Sequence, residues 1–243
     1  MEKRIIITGG TKGIGKAVAL ALGKEGYDLL LTYASDEAAA ADTREELLQT
    51  APGCDVRLLK ADITDMRSID LVCDCVAGNG MCLDAIVFNA GLTCRTPFEK
   101  MQPGEWEKVF SGNIHFPVFL LQRLIGHIRR GGSVVFTGSL MGIQPHAVSL
   151  AYGVTKSSVH ALVKNLVKIL IPYGIRVNGV APGFVDTEWQ KNKPLEIRHN
   201  IEDKIAMKRF CSPAELAGVY KMLIENSYFN GEIIVADGGY SYK

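Results

Sequence analysis

Arg4-Ile5-Ile6-Ile7-Thr8-Gly9-Gly10-Thr11-Lys12-Gly13-Ile14-Gly15-Lys16-Ala17 is the stretch on which the fold turns. Three consecutive isoleucines suit a strand buried on both faces of a parallel sheet. A helical pattern follows over Gly15–Glu25. Between the two, glycines at 9, 13 and 15 give a G-x-x-x-G-x-G spacing. A glycine turn there lets backbone approach a pyrophosphate, and the helix N-terminus offers unpaired N–H groups and a partial positive charge. The plain alternative is an ordinary tight strand-to-helix turn. Its place directly after the first strand and at the opening of the first helix favours a dinucleotide site built from Gly9, Thr11, Lys12, Gly13, Ile14 and Gly15.

The same alternation continues outward from this unit. Strands are predicted at Arg4–Thr8, Tyr27–Tyr33, Asp55–Ala61, Leu83–Asn89, Ser133–Gly138, Ile175–Ala181 and Glu232–Ala236. Helices are predicted at Asp36–Thr50, Met66–Val76, Pro103–Arg130, Ala151–Pro172 and Pro213–Asn226. Strand–helix alternation implies an α/β chain of Rossmann type: a doubly wound, seven-stranded parallel sheet with helices on both faces. No linker interrupts it, so residues 1–243 are expected to form a single dinucleotide-binding domain. The polar, aperiodic segment at about 184–209 is expected to be an insertion over the substrate.

Composition bounds the partners. The 243 residues carry 27 basic and 26 acidic side chains, a formal net charge of +1. That balance argues against a nucleic-acid partner. No stretch approaches the ~20 apolar residues of a membrane span. Six cysteines form no C-x-x-C pair, and the N-terminus reads unlike a secretory signal, so reduced thiols in a cytoplasmic protein are expected. No metal-ligand spacing is evident.

The end of the second strand bears on which dinucleotide is bound. An acid about 20 residues past the glycines would take the ribose 2′-hydroxyl of NAD and repel a 2′-phosphate. Here the stretch reads Leu31-Thr32-Tyr33-Ala34-Ser35, with Asp36 and Glu37 only beyond it. The expected cofactor is therefore NADP(H), with Lys12, Thr32 and Ser35 near the 2′-phosphate and Tyr33 also in the cofactor site; a solvated surface lysine is the alternative for Lys12.

Ser139 falls at the carboxyl end of a central strand, where open α/β sheets bind ligands. Tyr152 and Lys156 follow, spaced i and i+4 on one helix face. Together with the glycine turn, these residues resemble the short-chain dehydrogenase/reductase family over essentially the whole chain. Further matches are Asp62 after the third strand, Asn89-Ala90-Gly91 after the fourth, and Asn113 in the long helix. Arg176-x-Asn178-x-Val180-x-Pro182-Gly183 and Asp237-Gly238-Gly239 complete the pattern. The overall pattern most resembles the 3-oxoacyl-[acyl-carrier-protein] reductase branch, which implies NADPH-dependent reduction of a ketone and a place in fatty acid biosynthesis.

The resemblance also implies roles. Tyr152 would be the general acid that protonates the carbonyl oxygen as hydride reaches carbon. Ser139 would hydrogen-bond that oxygen, and Lys156 would bind the nicotinamide ribose. An ammonium about 4 Å from the phenol, at an effective dielectric of ~20, contributes up to ~4 kcal/mol. That could lower the tyrosine pKa by as much as ~3, before desolvation opposes it. Pro117 has no N–H to give the carbonyl of Asn113, so a bend there would free an acceptor for a water-borne proton relay to Lys156; a kink that merely suits packing is the alternative. Asp62 and Ile63 would line the adenine, Asn89, Ala90 and Gly91 would meet the adenosine ribose, and Pro182, Gly183, Val185 and Thr187 would meet the nicotinamide and its phosphate.

Two departures stand out. Phe88 replaces a second asparagine, which should alter strand packing, and Gly153-Val154-Thr155 stands between Tyr152 and Lys156. Substrate is less legible, because one scaffold of this kind serves many ketones. Met141, Gln144 and Trp189 are pocket candidates, Trp189 suiting an exposed interface equally, with Phe98 behind them and His146 better read as surface; the five histidines show no convincing pattern. Arg129-Arg130 could dock an acidic acyl-carrier protein, although Pro172-Tyr173 stands where a second arginine is usual. A small carbonyl compound or acyl thioester is thus the expected substrate. An NADP-linked alcohol, sugar or steroid dehydrogenase and a non-enzymatic dinucleotide-sensing regulator are the alternatives. The resemblance implies a homotetramer, or a homodimer, through the long helices and the C-terminal strand.

Overall fold

The computed structural model describes residues 3–145, 148–191 and 193–242. Seven strands, β1 (Lys3–Ile7), β2 (Tyr27–Tyr33), β3 (Val56–Lys60), β4 (Leu83–Phe88), β5 (Ile128–Thr137), β6 (Arg176–Pro182) and β7 (Ile233–Ala236), form one sheet. Their order is β3-β2-β1-β4-β5-β6-β7, and every pairing is parallel. The order reverses between β1 and β4, so a crevice opens at their carboxyl ends.

The isoleucine run is divided between two cores. Successive strand residues point to opposite faces. Ile6 therefore joins Ile86, Val134 and Val177 under α3 (Ser68–Gly78), α5 (Phe116–Leu124) and α6 (Leu150–Leu170). Ile5 and Ile7 join Val87 and Val135 under α1 (Gly13–Lys24), α2 (Glu37–Thr50) and α9 (Pro213–Glu225). Each fully buried isoleucine contributes about 1.5–3 kcal/mol. Both faces need apolar side chains, which is why the strand reads as an unbroken run. Phe88 fills its departure by stacking on Phe136 at 4.8 Å.

Two expectations are corrected. The helix predicted over Pro103–Arg130 is α4 (Pro103–Phe110), a π turn at Ser111–His115, then α5, and a 3-10 turn at Ile125–His127. Ile128 already belongs to β5 and pairs with Leu83. Gly131 allows this early start: its φ is +86°, and its N–H reaches the Gly174 carbonyl at 2.7 Å. The segment at about 184–209 lacks a period yet holds regular structure, α7 (Glu188–Lys191) and α8 (Leu195–Lys204). Its two ends are tied together, Asp186 N–H to the Cys211 carbonyl and Cys211 N–H to that of Phe184. It leaves the sheet and returns to one point. α8 buries none of its residues, which removes the apolar stripe that pattern reading needs.

Candidate active site

The glycine turn is shaped by contacts that only glycine permits. Gly9 and Gly13 have φ of +62° and +52°. A Cβ on Gly15 would lie 2.2 Å from the Gly9 carbonyl oxygen and 2.6 Å from Asn89 Nδ2. Asn89 laces the end of β4 to this turn: its Nδ2 donates to the carbonyls of Thr8 and Gly9 at 3.1 Å. Thr8 Oγ1 in turn accepts the N–H groups of Asn89 and Ala90. Thr187 hangs over the far side, with Cγ2 3.2 Å from where a Gly13 Cβ would stand. Thr11 anchors α2 through its carbonyl, which accepts the Thr43 hydroxyl at 2.8 Å. The result is a bare cradle at a helix N-terminus, suited to a pyrophosphate.

The expected 2′-phosphate end differs from the sequence reading. Thr32 is 1% exposed, and its hydroxyl accepts the Gly9 N–H, so it supports the turn rather than facing a ligand. Lys12 is not a free cation, because its ammonium pairs with Asp36. Asp36 meanwhile caps α2 by accepting the Ala39 N–H. Lys60 is likewise paired to Glu37 at 2.8 Å. Tyr33 is half-buried and Ser35 exposed beside these pairs. Asp62 is exposed and closes its own turn by accepting from Thr64, while Ile63 is buried in the core against Gly112.

Ser139, Tyr152, Lys156 and Asn113 converge at the carboxyl end of β5. Lys156 is 4% exposed, and its ammonium donates to the Thr137 carbonyl at 2.6 Å. It stands 5.5 Å from the Tyr152 ring centroid. Ser139 lies close enough to the Tyr152 phenol to bear on its titration, and its hydroxyl accepts the Met141 N–H at 3.1 Å, which sets the turn carrying Met141. Gly91 packs closely on this group, since a Cβ there would lie 3.3 Å from Asn113 Oδ1 and 3.5 Å from Lys156 Nζ.

Asn113 sits in the π turn, where the Phe116 N–H reaches back to the Ser111 carbonyl. π turns of this kind are frequent at functional sites. Its side chain is committed: Nδ2 donates to the Leu92 carbonyl and Thr155 Oγ1, and Oδ1 accepts the Leu92 N–H. Pro117, four residues on, has no N–H to give the Asn113 backbone carbonyl.

The electrostatics correct one expectation. Burial pushes the Tyr152 phenol above its ordinary range, with the nearby Ser139 side chain opposing. Lys156 does not lower it, because its ammonium is turned to the Thr137 carbonyl rather than to the phenol oxygen. Lys156 itself is pushed down to about 8 by burial. A neutral phenol over a weakly held ammonium suits proton donation, the direction needed for ketone reduction.

Trp189 of α7 reaches the Tyr152 ring, 5.9 Å between centroids, and so walls the crevice. Met141 and Gln144 are half-buried on the turn below. Phe98 is 76% exposed, and His146 lies outside the described residues. Pro182 and Val185 are buried, and Gly183 packs on Asp237. Arg129 and Arg130 are not a helix end. They lie in β5, where Arg129 pairs with Asp84 at 2.8 Å and Arg130 donates to the Pro172 carbonyl.

Sequence reading missed His160 and Tyr220. Tyr220 is buried, its hydroxyl 2.8 Å from Thr137 Oγ1, and so props the strand whose carbonyl holds Lys156. His160 Nε2 accepts the Ser139 N–H at 3.3 Å. The signal for it was available: residues 152, 156 and 160 are successive i+4 positions on one helix. Burial and the nearby Lys156 lower His160 to about 4. Between pH 6.5 and 4 the unfolded chain then binds more protons, so stability is whole above 6.5 and falls as pH drops towards 4. The full loss is about 3 kcal/mol. Melting temperatures across this range should fall more steeply for the native chain than for His160→Gln; equal slopes would refute the assignment.

Among the described residues, no helix is long and apolar enough to cross a membrane, and no group of three or more His, Cys, Asp and Glu could hold a metal ion.

Residues 9–241 match the profile of a family described as enoyl-(acyl carrier protein) reductase. An uncharacterized oxidoreductase, YmfI of Bacillus subtilis, is 32% identical, covering 99% of each chain. The 3-oxoacyl-[acyl-carrier-protein] reductase FabG of Aquifex aeolicus is 31% identical over 96% of this chain and 95% of its own. A short-chain dehydrogenase from Burkholderia cenocepacia, solved in complex with NADP, superposes with a TM-score of 0.90 at 25% identity, covering 98% of each chain.

Proposed function

The chain belongs to the short-chain dehydrogenase/reductase family of oxidoreductases, and from that premise we propose that it is an NADPH-dependent carbonyl reductase acting on 3-oxoacyl thioesters. The observation that carries the reading is the convergence of Ser139, Tyr152 and Lys156 beside a glycine turn so tight that a Cβ at residue 15 would lie 2.2 Å from the Gly9 carbonyl oxygen. Gly9, Thr11, Gly13, Ile14 and Gly15 would hold the pyrophosphate, Asn89, Ala90 and Gly91 the adenosine ribose, and Thr187 the nicotinamide phosphate. When bound, the nicotinamide supplies the hydride.

The chain's own residues do the rest. Ser139 donates to the substrate carbonyl oxygen and holds it against Tyr152. Tyr152, kept neutral by burial, gives that oxygen its proton. Lys156 holds the nicotinamide ribose and passes a replacement proton to Tyr152. The Asn113 carbonyl, freed by Pro117, holds the water through which Lys156 is recharged. Trp189 walls the crevice with an aromatic surface on which an acyl chain can pack.

NADP(H) is supported by the absence of an acid within Leu31–Ser35 and by the NADP-bound relative. Lys12 would have to exchange Asp36 for the 2′-phosphate. The ratio of kcat/KM for NADPH to that for NADH should exceed about tenfold, the value of one good charged contact. A preference for NADH would overturn this part of the reading. Docking of an acyl-carrier protein draws no support from Arg129 and Arg130, which are engaged within the fold. Apolar side chains exposed on α5 (Phe119), on α6 (Leu150, Val154) and on β7 (Val235) favour a homotetramer or homodimer, and six free cysteines favour the cytoplasm.

A further inference from the structure

α6 turns three polar residues inward at one-turn intervals: Tyr152, Lys156 and His160. The reaction proposed above uses the first two. His160 is 8% exposed and approaches Ser139 from the backbone side, with Nε2 3.3 Å from the Ser139 N–H. To accept that hydrogen, Nε2 must carry the lone pair, which leaves the ring proton on Nδ1.

The chain makes room for this contact. A Cβ on Gly138 would lie 2.2 Å from His160 Nε2 and 2.7 Å from Cδ2, so residue 138 must be glycine for the ring to reach its neighbour. Gly138 is itself held by its N–H, which donates to the Val180 carbonyl at 2.7 Å. Residues 138–139 are thereby clamped between β6 on one side and α6 on the other. Beyond the clamp, Ser139 Oγ starts the next turn by accepting from Met141 N–H. The last sheet residue before the site and the serine after it are located by the same helix that carries Tyr152 and Lys156.

We propose that His160 is a positioning residue for the reduction: its imidazole accepts the Ser139 N–H and so fixes the Ser139 hydroxyl against the Tyr152 phenol. It touches neither substrate nor cofactor, and acts through Ser139. The proposal rests on the assignment of Ser139 and Tyr152 to the site. Catalytic geometry is unforgiving, and displacement by about 1 Å can cost a hundredfold in rate.

A pair of amides separates positioning from space-filling. In His160→Gln the side-chain amide oxygen can reach the position of Nε2. In His160→Asn it stops one carbon short. With acetoacetyl-CoA and NADPH, the Asn variant should lose about tenfold or more in kcat and the Gln variant should recover most of it. NADPH affinity, read by the fluorescence of the bound nucleotide, should be the same in both. Equal kcat in the two variants, or a loss that merely follows their melting temperatures, would overturn the proposal. Gly138→Ala approaches from the other side: its Cβ should push the ring away and lower kcat like the Asn variant, and unchanged turnover would count against the clamp. Tyr152→Phe is run alongside. If it retains turnover, the site itself is misassigned. If it is inactive while the Asn and Gln variants are equal, only the role of His160 fails.

Discussion

Tyr152→Phe should lower kcat for ketone reduction by about a thousandfold, within the range that a positioned general acid supplies. The change deletes one oxygen. The ring keeps its contact with Trp189 and its place on the first turn of α6. The Ser139 N–H stays on His160, and Lys156 stays on the Thr137 carbonyl. What is lost is the proton that the phenol would place on the substrate oxygen. The glycine cradle is untouched, so NADPH should bind with unchanged affinity. Steady-state turnover and a fluorescence titration of the reduced nucleotide check the two halves separately. Retained turnover would place the acid elsewhere.

Gly15→Ala should act at the other half of the site. Its Cβ would lie 2.2 Å from the Gly9 carbonyl oxygen, and 3.0 Å from the Gly9 carbonyl carbon. Backbone cannot move aside as a flexible side-chain end can. Opening the turn costs about 1–3 kcal/mol in packing, and would also break the Asn89 bonds that hold Thr8 and Gly9. Since about 1.4 kcal/mol is tenfold in affinity, NADPH binding should weaken by about fivefold to a hundredfold. Gly104→Ala is the matched control: Gly104 lies in α4, and a Cβ there meets nothing within 4 Å. It should leave both affinity and turnover unchanged. Equal affinities in the two variants would mean the dinucleotide does not approach Gly15.

How much of this was legible depends on whether a residue's role is local. Ile5-Ile6-Ile7 and Ser133-Val134-Val135-Phe136 announce two-faced burial by their composition, so the seven-stranded parallel sheet could be read. The strand ends agree to within one residue except at β5, whose early start depends on a left-handed Gly131 bonded to Gly174, a contact between distant segments. α8 was invisible because it has no buried face. The Ser139, Tyr152 and Lys156 set was readable from spacing and resemblance together, and the structure gathers those residues at one strand end. The surroundings of Lys12 and Thr32 were not legible for one reason: a sequence shows a cation and a hydroxyl, but not that Asp36 and the Gly9 N–H engage them. The Tyr152 phenol was misjudged likewise, since the direction of the Lys156 ammonium is a matter of packing. His160 went unnoticed because a histidine on a helix is usually core or surface, and its partner lies across the sheet edge.

The reading requires a chain that carries out hydride transfer and does not merely hold a dinucleotide. The most direct test follows the absorbance of NADPH with the native chain and acetoacetyl-CoA, together with the thioester product. Loss of NADPH matched one for one by 3-hydroxybutyryl-CoA is expected, and it should vanish in Tyr152→Phe. Tight NADPH binding with no oxidation and no hydroxyl product would contradict the account and favour a dinucleotide sensor.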